Sequence, residues 1–318
     1  MTSRRALRRS LSTTFEPTLH YRKERVLLRA GQLVHVPALL AGGRLAPPVF
    51  VLGAPRSGTT LLYKVLRTSP QLAHWRPSEA HEVWELDYHP ALRGWHSNAL
   101  DASDVEPRAA ARIRRSFFLV AGTRRRFFDK TPRNALRVPF VDAIFPDAQF
   151  VFLQRDGRDN VNSLINAWRS PRYRTYRLPE RHALPGVDPQ WWKFVLYPGW
   201  RDDVRGPLEV VCARQWVVSN ETALDALERL EPARVTVVRY EDLVADPVAE
   251  VGRIAGRLGL RYDERVRAAA AASSRTPVNV VTPPERGKWR RENPHEIAAV
   301  LQSMAATMKR LGYDADEE

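Results

Sequence analysis

The chain has 318 residues, 44% hydrophobic and 27% charged, and its 50 Lys plus Arg against 36 Asp plus Glu give a formal net charge of +14. This composition supports a sizeable core and excludes an intrinsically disordered chain, and with no run of 18 or more apolar residues it excludes a transmembrane helix. The basic balance favours anionic partners, but the charge is spread along the chain without basic-aromatic clusters, which argues against a nucleic-acid module.

The first fifteen residues are Arg- and Ser-rich, with no acid before Glu16. They superficially suggest an organelle transit peptide but read better as a flexible basic tail, and no apolar segment suits a secretory signal. Residues 1–47 are expected to form an N-terminal extension. The single cysteine, Cys212, excludes an intrachain disulfide and fits a reducing, cytoplasmic compartment.

Residues 49–52 (VFVL) form a continuous apolar run, as in a buried parallel strand. A glycine loop spans 53–58, and Thr59 and Thr60 open a helix carrying Leu61, Leu62, Val65 and Leu66. Residues 127–129 suggest a short strand, 134–145 an amphipathic helix, 150–153 a second firm strand and 160–168 a helix. Residues 171–210 break this rhythm with prolines and interspersed Tyr173, Tyr176, Trp191, Trp192, Phe194, Tyr197 and Trp200. Helix returns at 212–230, strand at 234–239, and helix at 247–258, 264–272 and 296–311, with a basic segment at 285–292. The alternation implies a single α/β domain with a central, mostly parallel sheet flanked by helices. Ligands of such sheets bind beyond the carboxyl ends of the strands, where loops 53–58 and 154–158 emerge.

The loop GAPRSGTT (53–60) has the G-x-x-x-x-G spacing of a phosphate cradle, with hydroxyls at Ser57, Thr59 and Thr60 beside Gly58. A Walker A motif needs Lys where Thr59 stands; the cation here is Arg56, which weakens a kinase or ATPase reading. In a second segment, Arg155 follows a strand and Ser163 lies on the next helix, so that one guanidinium and one hydroxyl can converge on a second anion. His74, His81, His89 and His96 fit neither an i,i+4 pair nor a zinc knuckle, and no metal site is expected.

These segments together resemble the PAPS-dependent sulfotransferases, and the tyrosylprotein and bacterial carbohydrate-type branches more than the small-phenol cytosolic one. The resemblance rests on RSGTT (56–60), DKTP (129–132), Arg155 with Ser163, RYEDL (239–243), PVN (277–279), GKW (287–289) and LGYD (311–314), in the family's order. It implies a P-loop nucleotide-kinase-like fold over residues 48–314, with 171–210 as an acceptor-side insertion. It also implies a donor, 3′-phosphoadenosine 5′-phosphosulfate (PAPS), whose product is adenosine 3′,5′-bisphosphate.

By that resemblance, residues 56–60 (Arg56, Ser57, Gly58, Thr59, Thr60) hold the 5′-phosphosulfate, and Arg155 with Ser163 holds the 3′-phosphate. Arg56 and Lys130 stabilise charge on the oxygen bridging phosphorus and sulfur. Arg286, Gly287 and Lys288 close over the nucleotide, in a register that neighbouring Arg290 and Arg291 leave open. Ser273 or Ser274 donates to the nucleotide, and Tyr240 is an adenine or phosphate neighbour or a core tyrosine. The small-phenol branch's histidine base is replaced by Pro132. Glu79 is the best match for the base, with His81 and Glu82 as rivals. The acceptor is a hydroxyl or amine on a small molecule, glycan, glycolipid or peptide, with walls expected from 171–210 and from Trp84, Tyr88 and Trp95. The competing readings are a P-loop nucleotide kinase and a non-catalytic nucleotide-binding protein.

Overall fold

The computed structural model describes residues 28–29, 31–76, 79–273 and 285–314. After a short helix α1 (Val36–Leu40), β1 (Ala46–Leu52) runs into the glycine loop and α2 (Thr59–Leu66). There follow β2 (Leu72–His74), α3 (His81–Tyr88), α4 (Pro107–Ala121), β3 (Arg126–Lys130), α5 (Val138–Ile144), β4 (Gln149–Gln154) and α6 (Gly157–Arg169). A small hairpin, β5 (Tyr176–Arg177) with β6 (Trp191–Trp192), and α7 (Trp200–Asp203) precede the long α8 (Leu208–Leu227). The chain closes with β7 (Val235–Arg239), α9 (Tyr240–Ala245), α10 (Pro247–Arg257), α11 (Glu264–Ser273), α12 (Trp289–Glu292) and α13 (Pro294–Arg310).

The five-stranded sheet has the order β2-β3-β1-β4-β7, and every neighbouring pair is parallel. Successive side chains of a strand face opposite sides of its sheet, so a strand covered on both sides must be apolar throughout. In β1, Phe50 and Leu52 join one core cluster and Val49 and Val51 the other. The first face packs on α4, α5, α6, α8 and α13, and the second on α2, α10 and α11. Phe50 is fully buried, with the rings of Phe145, Phe150 and Trp84 centred 5.6, 6.0 and 6.1 Å away. Phe50→Ala should therefore cost about 3–5 kcal/mol in chemical denaturation.

Three expectations need correction. The amphipathic stretch 134–145 is a 3-10 turn (Pro132–Leu136) and then α5, separated at Arg137. Pro139 has no N–H to bond the carbonyl of Ala135, so an unbroken α-helix cannot pass. The helix expected at 160–168 starts at Gly157, because the Asp156 carboxylate caps it by accepting from the Arg158 N–H at 2.8 Å. Glycine fits there because a Cβ would come within 2.9 Å of the Trp216 ring.

Nor are Trp84 and Tyr88, expected as pocket wall, at a surface: both are buried in the core. His81–Tyr88 is helical, and Trp84 is wholly buried, donating to Asp129 at 3.0 Å from behind the sheet. The aromatic residues of 171–210 divide in the same way. Trp192, Tyr197 and Trp200 are core, while Tyr173 reaches the functional site.

Candidate active site

β1 lies between β3 and β4, so the loops that leave their carboxyl ends converge at the point where the chain switches direction across the sheet. Loop 53–58 turns sharply into α2. Arg56 takes φ 73°, unusual for a side-chain-bearing residue, and neighbouring elements hold it there. Its carbonyl accepts from Arg155 Nη1 at 3.1 Å, and that of Pro55 accepts from Asn160 Nδ2 at 3.1 Å. Gly58 has φ 101°, and a Cβ there would stand 2.4 Å from the Tyr240 ring. Only glycine admits both the turn and that ring.

The loop is built for an anion. No side chain caps α2, whose first N–H groups have no partner within the helix. The Ser57 hydroxyl, on a side chain 1% exposed, and Arg155 Nε are both buried without a hydrogen-bond partner. Arg56 donates from Nε to Ser163 Oγ at 3.3 Å and from Nη1 to the Tyr173 hydroxyl at 3.1 Å. Burial lowers its pKa, with Tyr173 opposing and Arg155 adding to the fall. Arg155 lies 4.4 Å over the Tyr240 ring. Among the described residues neither guanidinium pairs with a carboxylate. Buried, uncompensated charge is costly, and these unmatched donors suit an anionic ligand. The structure thus brings Arg56, Ser57, Gly58, Arg155, Ser163 and Tyr240 together around one loop, with Tyr173 beside them.

Thr60 leads to the second half of the site. Lys130, the last residue of β3 and 4% exposed, donates to Thr60 Oγ1 at 3.1 Å and is ion-paired with Glu79. Just before it, Asp129 accepts from the Ala80 N–H at 3.2 Å and from Trp84, tying the start of α3 to the strand. His81 Nε2 stands 2.5 Å from the other Glu79 oxygen. Its Nδ1 faces Arg133 Nη1 at 3.0 Å. A guanidinium only donates, so Nδ1 accepts and the proton lies on Nε2, toward Glu79. Burial pushes the Glu79 carboxyl up, but Lys130 and His81 outweigh it and hold the group well below the carboxylate range. Glu82 is exposed on the outer side of α3.

The C-terminal basic segment lies along α6. The Gly287 N–H donates to Asp159 at 2.9 Å, and Arg158 lies 5.8 Å from the Trp289 ring centre. Glu292 pairs with Lys288 at 3.1 Å and accepts from Asn162 and Asn166 at 2.9 and 2.7 Å. Arg286 is exposed. Ser273 ends α11 and donates to the Ala270 carbonyl at 2.7 Å, while Ser274 and residues 277–279 lie outside the described residues. Asp159, Asn162 and Asn166 escaped the sequence reading. Their signal is a polar stripe at i, i+3 and i+7 on the helix that also carries Ser163. Among the described residues no cluster of potential metal ligands occurs, and no helix is long and apolar enough to cross a membrane.

A parallel sheet whose central strand feeds an anion-binding loop, with a lysine linking that loop to a carboxylate, defines an α/β group transferase of the P-loop type. The chain belongs to the sulfotransferase family, whose model matches residues 47–264, more than half its length. It is similar to protein-tyrosine sulfotransferase A of Caenorhabditis elegans, 24% identical over 300 residues that cover 85% of this chain and 68% of that protein. It also resembles the nodulation protein NoeE of Sinorhizobium fredii, 28% identical over 239 residues, covering 67% of this chain and half of that protein. In fold it is like the sulfotransferase STF9 of Mycobacterium avium, with a TM-score of 0.57 and 16% identity over 92% of this chain and 83% of that one. The chain is therefore a sulfotransferase enzyme, and the family's sulfate donor is PAPS. The kinase alternative is not favoured.

Proposed function

We propose that Arg56, Lys130 and Glu79 carry sulfuryl transfer to an acceptor hydroxyl, and that Lys130 couples donor binding to the base. The observation that carries this is the Lys130 ammonium, which touches the anion loop at Thr60 and the carboxylate of Glu79 at once. The donor supplies an electrophilic sulfuryl group. Ser57, Thr59, Thr60 and the loop amides hold its 5′ end, and Arg155 with Ser163 its 3′-phosphate. Gly287 and Lys288 cover it, with Arg286 beside them and Ser274 as a further donor.

Arg56 and Lys130 face the oxygen that gains charge as its bond to sulfur breaks. A new bond forms between sulfur and the acceptor oxygen, whose proton passes to Glu79. Without donor, Lys130 suppresses the basicity of Glu79. Sharing that cation with a bound anion raises it, so the base works best when there is a group to transfer. His81, with Nε2–H aimed at Glu79 and Nδ1 held by Arg133, orients the carboxylate.

The similarity to protein-tyrosine sulfotransferases supports a phenolic hydroxyl on a peptide as acceptor; a small molecule, glycan or glycolipid is the other reading. Residues 171–210 form the acceptor-side wall through Tyr173, within the catalytic domain 48–314. The lone, buried Cys212 fits a cytoplasmic setting.

Thermal unfolding tests the donor site. Adenosine 3′,5′-bisphosphate at 100 times its dissociation constant should add about 2.7 kcal/mol without metal, and ATP with Mg²⁺ much less. Stabilisation confined to ATP with Mg²⁺ would remove the donor assignment.

A further inference from the structure

A second concentration of positive charge, lined by none of the cradle residues, lies along the edge of β2. Among the described residues that strand pairs only with β3, and a groove of about 320 Å³ runs beside it. Its walls include Arg67 and Thr68 just after α2, His74 at the end of β2, Arg76 beyond it, Arg125 before β3 and Arg265 on α11. Among the described residues no Asp or Glu lines it.

Several other arginines of this chain meet acids, while Arg126, Arg239 and Arg257 are bonded to uncharged oxygens. Arg112 pairs with Asp87, Arg253 with Glu250, and Arg310 with Glu221, Asp225 and Glu228. In the groove, Arg67 lies 6.0 Å from the Tyr63 ring centre and Arg125 donates to the Val120 carbonyl at 3.1 Å. Neither of these, nor Arg265, has a carboxylate partner among the described residues. His74 donates from Nδ1 to the Trp75 carbonyl at 3.0 Å, which leaves Nε2 as an acceptor. Burial lowers its pKa, the Trp75 bond opposes, and Arg67, Arg76 and Arg125 lower it further, so three guanidiniums act on one imidazole.

We propose that this groove is a second anion site, separate from the nucleotide cradle, whose ligand is a compact polyanion carrying several phosphate or sulfate groups. Guanidinium forks match such oxygens two at a time, and Arg67, Arg125 and Arg265 around one groove suit several anionic groups better than a single one. The volume is at the small end of ordinary ligand pockets. Through Arg76 the same strand leads on to Glu79, so an occupant would sit against the chain segment that carries the base.

Inorganic tripolyphosphate is the probe, titrated calorimetrically into the full chain already saturated with adenosine 3′,5′-bisphosphate. One further site is expected, weakening as salt rises. Each guanidinium removed should cost about tenfold in affinity, so Arg67→Ser with Arg265→Ser should cost about a hundredfold. Unchanged bisphosphate binding in that variant would show that it is folded. Arg155→Ala should do the reverse, losing bisphosphate while keeping the tripolyphosphate site, so failure of the donor assignment reads separately. If the double variant fails to fold, Arg125→Gln alone should weaken tripolyphosphate about tenfold. Absence of a further site, or equal affinity in wild type and groove variants, would overturn the proposal.

Discussion

Replacing Arg56 with alanine is expected to lower kcat by about 10²–10³ or more while weakening adenosine 3′,5′-bisphosphate far less. A preorganised cation aimed at developing charge contributes on this scale. The bisphosphate lacks the sulfuryl group and its bridging oxygen, and it would keep Arg155, Ser57 and the α2 amides. Stopped assays of product formation beside calorimetric bisphosphate binding separate the two effects. Arg56 also donates to Ser163 and Tyr173, so Arg56→Lys is a useful companion. It keeps the charge but loses the fork, and should recover part of the rate. Turnover near wild type in Arg56→Ala would end its assigned role.

Glu79→Gln should reduce kcat by about 10²–10⁴, the usual contribution of a general base. Donor affinity should hold or rise, because Lys130 would no longer be neutralised by a carboxylate. The amide oxygen can still accept from Lys130 or His81, so the fold around α3 should survive. Single-turnover rates with pre-bound donor are the decisive readout. An unchanged rate would move the base to His81 or Glu82. Of these, His81 has Nδ1 engaged by Arg133 and Nε2–H turned to Glu79, and Glu82 points outward.

Much of the nucleotide cradle was legible because its parts are local. A strand of four apolar residues, a glycine loop and hydroxyls at a helix start lie within a dozen positions, and their geometry follows from backbone rules. Arg155 and Ser163 were equally readable, one past a strand end and one on the following helix. The α4 helix went unread although Ala110, Ile113, Phe117 and Ala121 follow helical spacing behind Pro107. β2 was missed for a different reason. Three residues carry no periodicity, and only pairing with β3 makes them a strand.

The aromatic stretch 171–210 marks another limit. Its composition suited either a pocket wall or a core, and burial assigns most of it to the core. Whether Trp84 faced a ligand or the sheet could not be decided until Asp129, 45 residues away, accepted its indole N–H.

By itself the sequence determined the parallel α/β architecture, the loop with arginine in place of the Walker lysine, and the positions of Arg155 past a strand end and Ser163 on the next helix. All three depend on hydrophobic period, glycine chemistry and short spacing. Only the tertiary structure decided that Lys130 joins Thr60 to Glu79, that His81 supports the carboxylate, and that Asp159 holds Gly287. Those contacts cross 51, 2 and 128 positions respectively. Even the shortest depends on distant Arg133 to set the tautomer. Their existence depends on the strand order, which brings β3 and β4 to either side of β1, and no local rule of the chain specifies it.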